Sequence, residues 1–436
     1  MALRRTFSAA SAAKNVVLVD GCRIPFVLAN TSYKDYMAVD LARLALKGLL
    51  DKTALPAGDI DYILYGNVIQ EPKTSNIARE ASMGAGIPQH VPSHTVAQAC
   101  ISANAAICQG AEKILAGQAD VVVAGGVETF SDVPIRFSKP LRQKLIRGQK
   151  VFKKGPGAAI PYLLKGLKPA HLVPDAPAIA NYTTGEVMGH SSDRLAQRFG
   201  VSREDQDAFA LRSHVNAAKA HAAGLYEEEI VAVDGSKEEN GIKGDSSAEK
   251  LASLRPAFVK PHGTHTAANS SFLTDGASAA LIMSEEKALA MGFKPKAYLR
   301  AWTFVAVDPF ESMLLGPTYG ANKVLTQLGL GLDDIDVVEF HEAFAGQVLS
   351  NFTAMGSDKF GQEELGRSGK VGDINMDKVN TRGGSLSLGH PFGATGARLA
   401  TTAANRLRDE DGRFALLAAC ADSGLGHASI IERYPA

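Results

Sequence analysis

The sequence predicts an α/β protein made of two similar halves, stacked as a layered α-β-α-β-α sandwich with an inserted loop domain. Three observations predict it. Short valine-rich strands alternate with helical stretches, the pattern of a buried sheet covered by helices. One segment recurs: Asp59-Ile60-Asp61-Tyr62-Ile63-Leu64-Tyr65-Gly66 is echoed by Asp334-Ile335-Asp336-Val337-Val338-Glu339-Phe340-His341, each after a Leu-rich helical run. The stretch from about Phe130 to Leu273 has no counterpart in the second half.

Taken in order, Asn15 to Asp20 reads as a strand and Asp40 to Leu50 as an amphipathic helix. Tyr62 to Tyr65 is a strand, Ala103 to Ala116 a helix rich in small residues, and Asp120 to Ala124 a strand closed by a Gly125-Gly126 turn. In the second half a helix, Ala397 to Arg408, follows His390, and the strand Phe414 to Ala419 leads into Cys420. The parallels divide the chain into an N-terminal half (15–129 with 274–293), an insertion (130–273) and a C-terminal half (294–436). Two such halves place reactive groups at equivalent sheet edges facing one pocket.

Composition narrows the class. The 436 residues exceed one ordinary domain. With 46 basic and 46 acidic residues the net charge is zero, which leaves no nucleic-acid footprint. No apolar run approaches the roughly 18 residues of a membrane span. The four cysteines, Cys22, Cys100, Cys108 and Cys420, have neither zinc spacing nor disulfide-scaffold density, and fit a reducing compartment. Residues 1–14 carry Arg4, Arg5, Ser8 and Ser11, with no acidic residue before Asp20; they read as a mitochondrial presequence and are set aside from the fold.

Charge is unevenly placed. From Pro134 to Pro174 there are ten Lys and Arg residues and no Asp or Glu. Leu141, Leu145 and Phe152 fall at helical spacing, Gly155-Pro156-Gly157 breaks the run, and Ile160 to Leu164 adds a second apolar piece. A basic amphipathic segment of this kind lies on an anionic membrane, docks to a partner, or is simply a solvated loop.

Three segments carry chemistry. Cys100 precedes the small-residue helix, and a helix N-terminus lowers a thiol pKa. His390 lies in the turn Gly389-His390-Pro391-Phe392-Gly393, where glycine lets backbone approach a ligand and proline holds the turn. Cys420 ends an apolar strand. Cys22 and Cys108 read as inert, buried small residues. A thiol nucleophile, an imidazole and a second thiol together suit cleavage of a carbon–carbon bond by acyl transfer.

These segments resemble those of the thiolase superfamily, and within it the lineage of mitochondrial trifunctional beta subunits, long-chain 3-ketoacyl-CoA thiolases. The resemblance runs from about Val16 to the C-terminus. It includes Thr31-Ser32-Tyr33-Lys34-Asp35, Lys73-Thr74-Ser75-Asn76-Ile77-Ala78-Arg79-Glu80, Ala268-Asn269-Ser270-Ser271-Phe272-Leu273-Thr274-Asp275-Gly276 and His341-Glu342-Ala343-Phe344. It implies a duplicated thiolase-type fold and an acetyl-CoA C-acyltransferase working by ping-pong through an acyl-Cys100 thioester. His390 would take the thiol proton and later serve as an oxyanion donor. Cys420 would move the proton at the substrate carbon. His341, where many thiolases have asparagine, would serve the oxyanion hole of the enolate. Ser271 would lie in the CoA-contacting loop and Met188 beside the acyl chain.

The implied substrates are 3-ketoacyl-CoA and CoA, with no metal and no cofactor beyond CoA as substrate. The implied partners are a second copy of the chain and an alpha subunit carrying hydratase and dehydrogenase activities, at the mitochondrial inner membrane. Two alternatives stay open: a biosynthetic acetoacetyl-CoA thiolase, and a scaffold subunit that tethers a multienzyme complex to membrane. One departure from the family pattern is Asp422, where a small residue is usual. A carboxylate facing a developing anion would oppose it, so the side chain is expected to turn away from Cys100 and cap a turn.

Overall fold

The computed structural model describes residues 14–178 and 180–435; the presequence expectation, Lys14 apart, lies outside them. Ten strands are present among the described residues: β1 (Val16–Arg23), β2 (Val27–Leu28), β3 (Tyr62–Gly66), β4 (Ser93–Val96), β5 (Val121–Glu128), β6 (Thr274–Ser284), β7 (Ala297–Ala306), β8 (Val337–Phe340), β9 (Phe414–Ala421) and β10 (Leu425–Arg433). They run in the order β4-β3-β5-β6-β1-β7-β10-β9-β8, with β2 paired to β6. The two halves meet edge to edge at β1 and β7, where only Val17↔Tyr298 and Leu18↔Ala297 are in register.

The repeat is visible in the backbone. A one-turn 3₁₀ helix, Ala57–Asp59 or Leu332–Asp334, leads into β3 or β8, and a longer helix, Ala38–Thr53 or Gly316–Leu328, precedes each. β3 is parallel to β5, and β8 is parallel to β9. Parallel neighbours require a crossover. In each half its last helix is Ser102–Leu115 or Thr395–Asp409.

Alternation along the strands builds the layers. Val16 and Leu18 of β1, Val122 and Ala124 of β5, and Leu417 and Ala419 of β9 face one central core, which they share with Ala103, Ile107, Leu399 and Ala403 of the two crossover helices. Val17, Val19, Val121 and Val123 point the other way, onto Leu41, Leu46 and Leu49 of Ala38–Thr53. Leu416 and Ala418 likewise face Val324, Leu325 and Val348 on the far side of the second half. The result is helix, sheet, helix, sheet, helix. Every residue from Thr395 to Leu407 is buried, so the second crossover helix has no solvent face.

One expected turn is absent. Gly125-Gly126 lies inside β5, which continues to Glu128. Close approach explains the glycines: a Cβ on Gly126 would sit 1.8 Å from the carbonyl oxygen of Gly393, and one on Gly125 would sit 2.1 Å from that of Ser278. The strand thereby lets the His390 turn rest directly on its backbone.

Between β5 and β6 the chain forms helices and loops, with no strand among the described residues. This stretch is held to β1 by Arg23, whose Nη1 lies 2.6 Å from Glu229 and Nη2 3.0 Å from Glu239, all three buried. Thr402 and Asn405 of the second crossover helix also donate to Glu229, at 2.9 and 3.0 Å. The basic segment forms the helices Lys139–Arg147, Gln149–Phe152 and Pro156–Leu164, none with a buried residue. Ile135, Phe137, Ile146, Ile160 and Leu164 are exposed on it. Among the described residues no helix is long and apolar enough to cross a membrane.

Candidate active site

The chain leaves β4, turns through Ala99 and enters the first crossover helix at Ser102. Ala99 has φ 46°, in the left-handed region that non-glycine residues avoid. The Ser102 hydroxyl clasps this turn: it accepts from the Gln98 N–H at 2.8 Å and donates to the Ala99 carbonyl at 2.6 Å. Cys100 is thereby presented on the crest, half-buried, against the helix N-terminus.

Burial first, and the charge of Asp422 second, push the Cys100 thiol up to about 12. This corrects the expectation of a lowered pKa. The backbone N–H groups of Asp422 and of Cys100 itself do act in the expected direction, but desolvation of the thiolate outweighs them. Cys100 therefore rests as a thiol.

His390 stands beside it. Its backbone N–H donates to Thr274 Oγ1 at 2.9 Å, and Gly389 before it has φ 100°. Its Nδ1 lies 2.6 Å from Thr395 Oγ1, which in turn donates to the Pro391 carbonyl at 3.1 Å. Because the hydroxyl proton is spent on that carbonyl, Nδ1 carries the ring hydrogen and Nε2 keeps a free lone pair. Burial holds this imidazole well below its ordinary range, with His341 and Arg398 adding to the effect, so the ring is neutral.

His341 follows β8 and anchors its backbone N–H on the Ala418 carbonyl at 2.8 Å. Its Nδ1 is 3.0 Å from Ser385 Oγ, which also accepts from Arg398 Nη2 at 3.4 Å. The serine hydrogen is left for Nδ1, which places an N–H on Nε2. Burial, and then Arg398, push this ring down to about 3. The two imidazole centroids are 4.1 Å apart, and both Nε2 atoms are buried without a protein partner. One ligand atom each from Cys100, His341 and His390 lie within 4.8 Å of one another.

Cys420 closes the group. It is buried near the end of β9, on the face opposite Ala419 and Ala421, in an apolar cluster with Leu314, Leu315, Ala343 and Phe344. Burial raises its thiol well above the usual value, and proximity to Cys100 adds to this. The chain then turns through Asp422–Gly424. There Asp422 Oδ1 accepts from the Ser423 N–H at 2.6 Å and from Asn181 Nδ2 at 2.7 Å. The carboxylate thus caps its own turn, as expected, while the residue's backbone N–H faces the Cys100 sulfur.

The structure brings Cys100, His341, His390 and Cys420 together. Met188 opens the helix Met188–Arg198 and packs against the cluster that holds Cys420. The Ser271 N–H donates to the Ala343 carbonyl at 2.9 Å, which stitches its loop to the His341 motif. Sequence reasoning missed the groups that orient the site. Thr395 and Ser385 are ordinary hydroxyl residues until the fold sets them on the two imidazoles. Asn181 reaches Asp422 from 241 positions away. Glu128, fully buried at the end of β5, accepts from Asn67 Nδ2 and from the N–H groups of Val68, Ile69 and Gly393 at 3.0–3.1 Å. It ties the His390 turn to the first half, and burial pushes its carboxyl up to about 7. Its signal was available, since a lone Glu ending a valine-glycine strand needs partners.

Comparison with known proteins agrees with this geometry. The family described as "Thiolase, N-terminal domain" matches residues 16–286, and "Thiolase, C-terminal domain" matches 293–433. The chain is 55% identical over 426 residues to the human protein named "Trifunctional enzyme subunit beta, mitochondrial", covering 97% of this chain and 89% of that one. It is 54% identical over 428 residues to "Probable 3-ketoacyl-CoA thiolase" of Caenorhabditis elegans, covering 96% and 94% of the two chains. The solved structure of human mitochondrial 3-ketoacyl-CoA thiolase in complex with CoA superposes with TM-score 0.82 at 27% identity, over 97% of this chain and 99% of that one. The crystal structure of the Bacillus anthracis acetyl-CoA acetyltransferase gives TM-score 0.82 at 29% identity, over 98% and 100%. The chain belongs to the thiolase family.

Proposed function

We propose that this acyltransferase, a 3-ketoacyl-CoA thiolase of fatty acid β-oxidation, works through an acyl thioester on Cys100. The observation that carries the reading is the convergence of one thiol and two imidazoles within 4.8 Å, with a second thiol beside them. The Cys100 proton passes to His390 Nε2 as the sulfur attacks C3 of the 3-ketoacyl-CoA. The N–H groups of Cys100 and Asp422 receive the oxyanion that forms at C3. The C2–C3 bond then breaks, its electron pair becoming the enolate of acetyl-CoA. His341 Nε2–H and the now protonated His390 donate to the enolate oxygen, and Cys420 gives its proton to C2.

In the second half-reaction the Cys420 thiolate takes the proton of an incoming CoA thiol. The CoA thiolate so formed attacks the acyl-Cys100 carbonyl. Cys100 leaves, recovers its proton from His390, and an acyl-CoA two carbons shorter is released. Each group ends in its starting protonation state. Ser271 serves the CoA side of the pocket and Met188 the acyl side.

Thiolysis across a 3-ketoacyl-CoA chain-length series tests the reading. Activity is expected to extend to long chains and to fall to background in Cys100→Ala. Activity confined to acetoacetyl-CoA would favour the biosynthetic alternative, and thiolysis surviving Cys100→Ala would remove the assigned nucleophile.

We further read the chain as a mitochondrial subunit, dimeric within a hetero-oligomer whose alpha subunit supplies hydratase and dehydrogenase activities. The name of its human relative, subunit beta of a mitochondrial trifunctional enzyme, supports the mitochondrial site and the larger complex. On the same reading 130–273 is an inserted unit. Its segment 134–174, ten cations beside exposed Ile146, Ile160 and Leu164, contacts an anionic inner membrane peripherally. Flotation with cardiolipin liposomes, with and without residues 136–168, tests the contact; equal binding without them would remove the segment from the account.

A further inference from the structure

We infer that Cys100, His341 and His390 also form a binding site for one soft divalent metal ion of the zinc class, which shuts the enzyme off reversibly. Among the described residues they are the one group of at least three histidine, cysteine or carboxylate side chains whose ligand atoms converge in this way. A tetrahedral zinc site holds sulfur and imidazole nitrogen at about 2.0–2.3 Å from the metal, hence about 3.3–3.6 Å from one another. Ligand atoms already within 4.8 Å need draw in by little more than an ångström.

The surroundings favour coordination. Both Nε2 atoms are buried and unpartnered, while both Nδ1 atoms are held by hydroxyls, Ser385 at 3.0 Å and Thr395 at 2.6 Å. Hydrogen bonds to the far ring nitrogen are what orient metal-binding histidines. The Ser385 hydroxyl accepts as readily as it donates, so His341 can turn an Nε2 lone pair toward the ion. A thiolate with two neutral imidazoles selects zinc or cadmium over magnesium or calcium. The nearby cation, Arg398, is itself paired with Glu339 at 3.0 Å. Coordination forms one metal–sulfur and two metal–nitrogen bonds and releases the thiol proton to solvent.

An occupied site has neither nucleophile nor base, so the ion acts as an inhibitor. The inference rests on the same cluster as the thiolysis reading, but its binding needs no substrate. The test titrates zinc chloride into the full chain without CoA compounds, in competition with a chromophoric chelator. One equivalent per chain is expected, with affinity reduced at least tenfold in Cys100→Ser and in His341→Asn, and retained in Cys22→Ser. Cobalt(II) is expected to give a thiolate-to-metal charge-transfer band that Cys100→Ser removes. Equal affinity in Cys100→Ser, or zinc-loaded enzyme with undiminished thiolysis, would overturn the proposal. Failure of the metal-free enzyme to perform thiolysis would count against the thiolysis reading alone, since the binding result is obtained separately.

Discussion

Replacing Asp422 by asparagine separates the two things this residue does at Cys100. An amide oxygen still accepts from the Ser423 N–H and from Asn181, so the turn and the backbone N–H facing the sulfur are kept. Only the charge is removed. Asp422 is partly exposed, so an effective dielectric of about 40 is appropriate. For unit charges about 6 Å apart this gives ~1.4 kcal/mol, or about one pKa unit. The negative charge raises the thiol, so its removal lowers it. Starting near 12, the thiol is mostly protonated across the working range, and the thiolate fraction at any given pH rises about tenfold in the variant. The assay is iodoacetamide alkylation of the free enzyme from about pH 7 to 10, with modification of the Cys100 peptide read by mass. The native rate is expected to climb with pH without a plateau, and the Asp422→Asn rate to run parallel and about tenfold above it. Equal or slower alkylation in a folded variant, or a native plateau below about pH 9, would show that the Asp422 charge does not hold the thiol up.

Other perturbations follow from the same geometry. Thr395→Val frees the His390 tautomer and is expected to lower kcat about 10- to 100-fold with little change in KM, while Thr395→Ser restores it; a Val variant of native rate counts against the tautomer argument. Cys420→Ser is expected to lower cleavage by about 10²–10⁴-fold while Cys100 still alkylates as in the native enzyme; unchanged turnover would put the proton donor elsewhere. Arg23→Met strands two buried carboxylates and is expected to destabilise the fold by about 3–5 kcal/mol, seen as a lowered Tm, with Glu239→Gln recovering part of the loss in the double variant; additive losses would contradict the coupling.

The elements and the side chains of the candidate site were legible because they depend on local pattern. Continuous apolar runs in β1, β5 and β9 predicted buried strands, and the echo of 59–66 in 334–341 predicted the duplication that puts Cys100 and His390 at equivalent places. What stayed illegible depends on distant approach. Gly125-Gly126 looks like a turn unless the Gly393 carbonyl is known to press on it from 267 positions away by number. Cys100 looks activated by its helix, because the desolvation that overrides the helix comes from the packed second half. Asn181 and Ser385 carry no periodic or motif signal, and Thr395 lies in the His390 segment with nothing to mark its role; only the closed fold sets them against Asp422, His341 and His390.

The acyl thioester on Cys100 can be trapped and weighed by mass spectrometry of a quenched half-reaction. Enzyme mixed with a long-chain 3-ketoacyl-CoA in the absence of free CoA, then stopped in acid and digested, is predicted to carry an acyl group two carbons shorter than the substrate chain on the Cys100 peptide. Added CoA is predicted to discharge it as acyl-CoA. An adduct on Cys420 or another residue, or turnover with no acyl-Cys100 at any time point, would contradict the account.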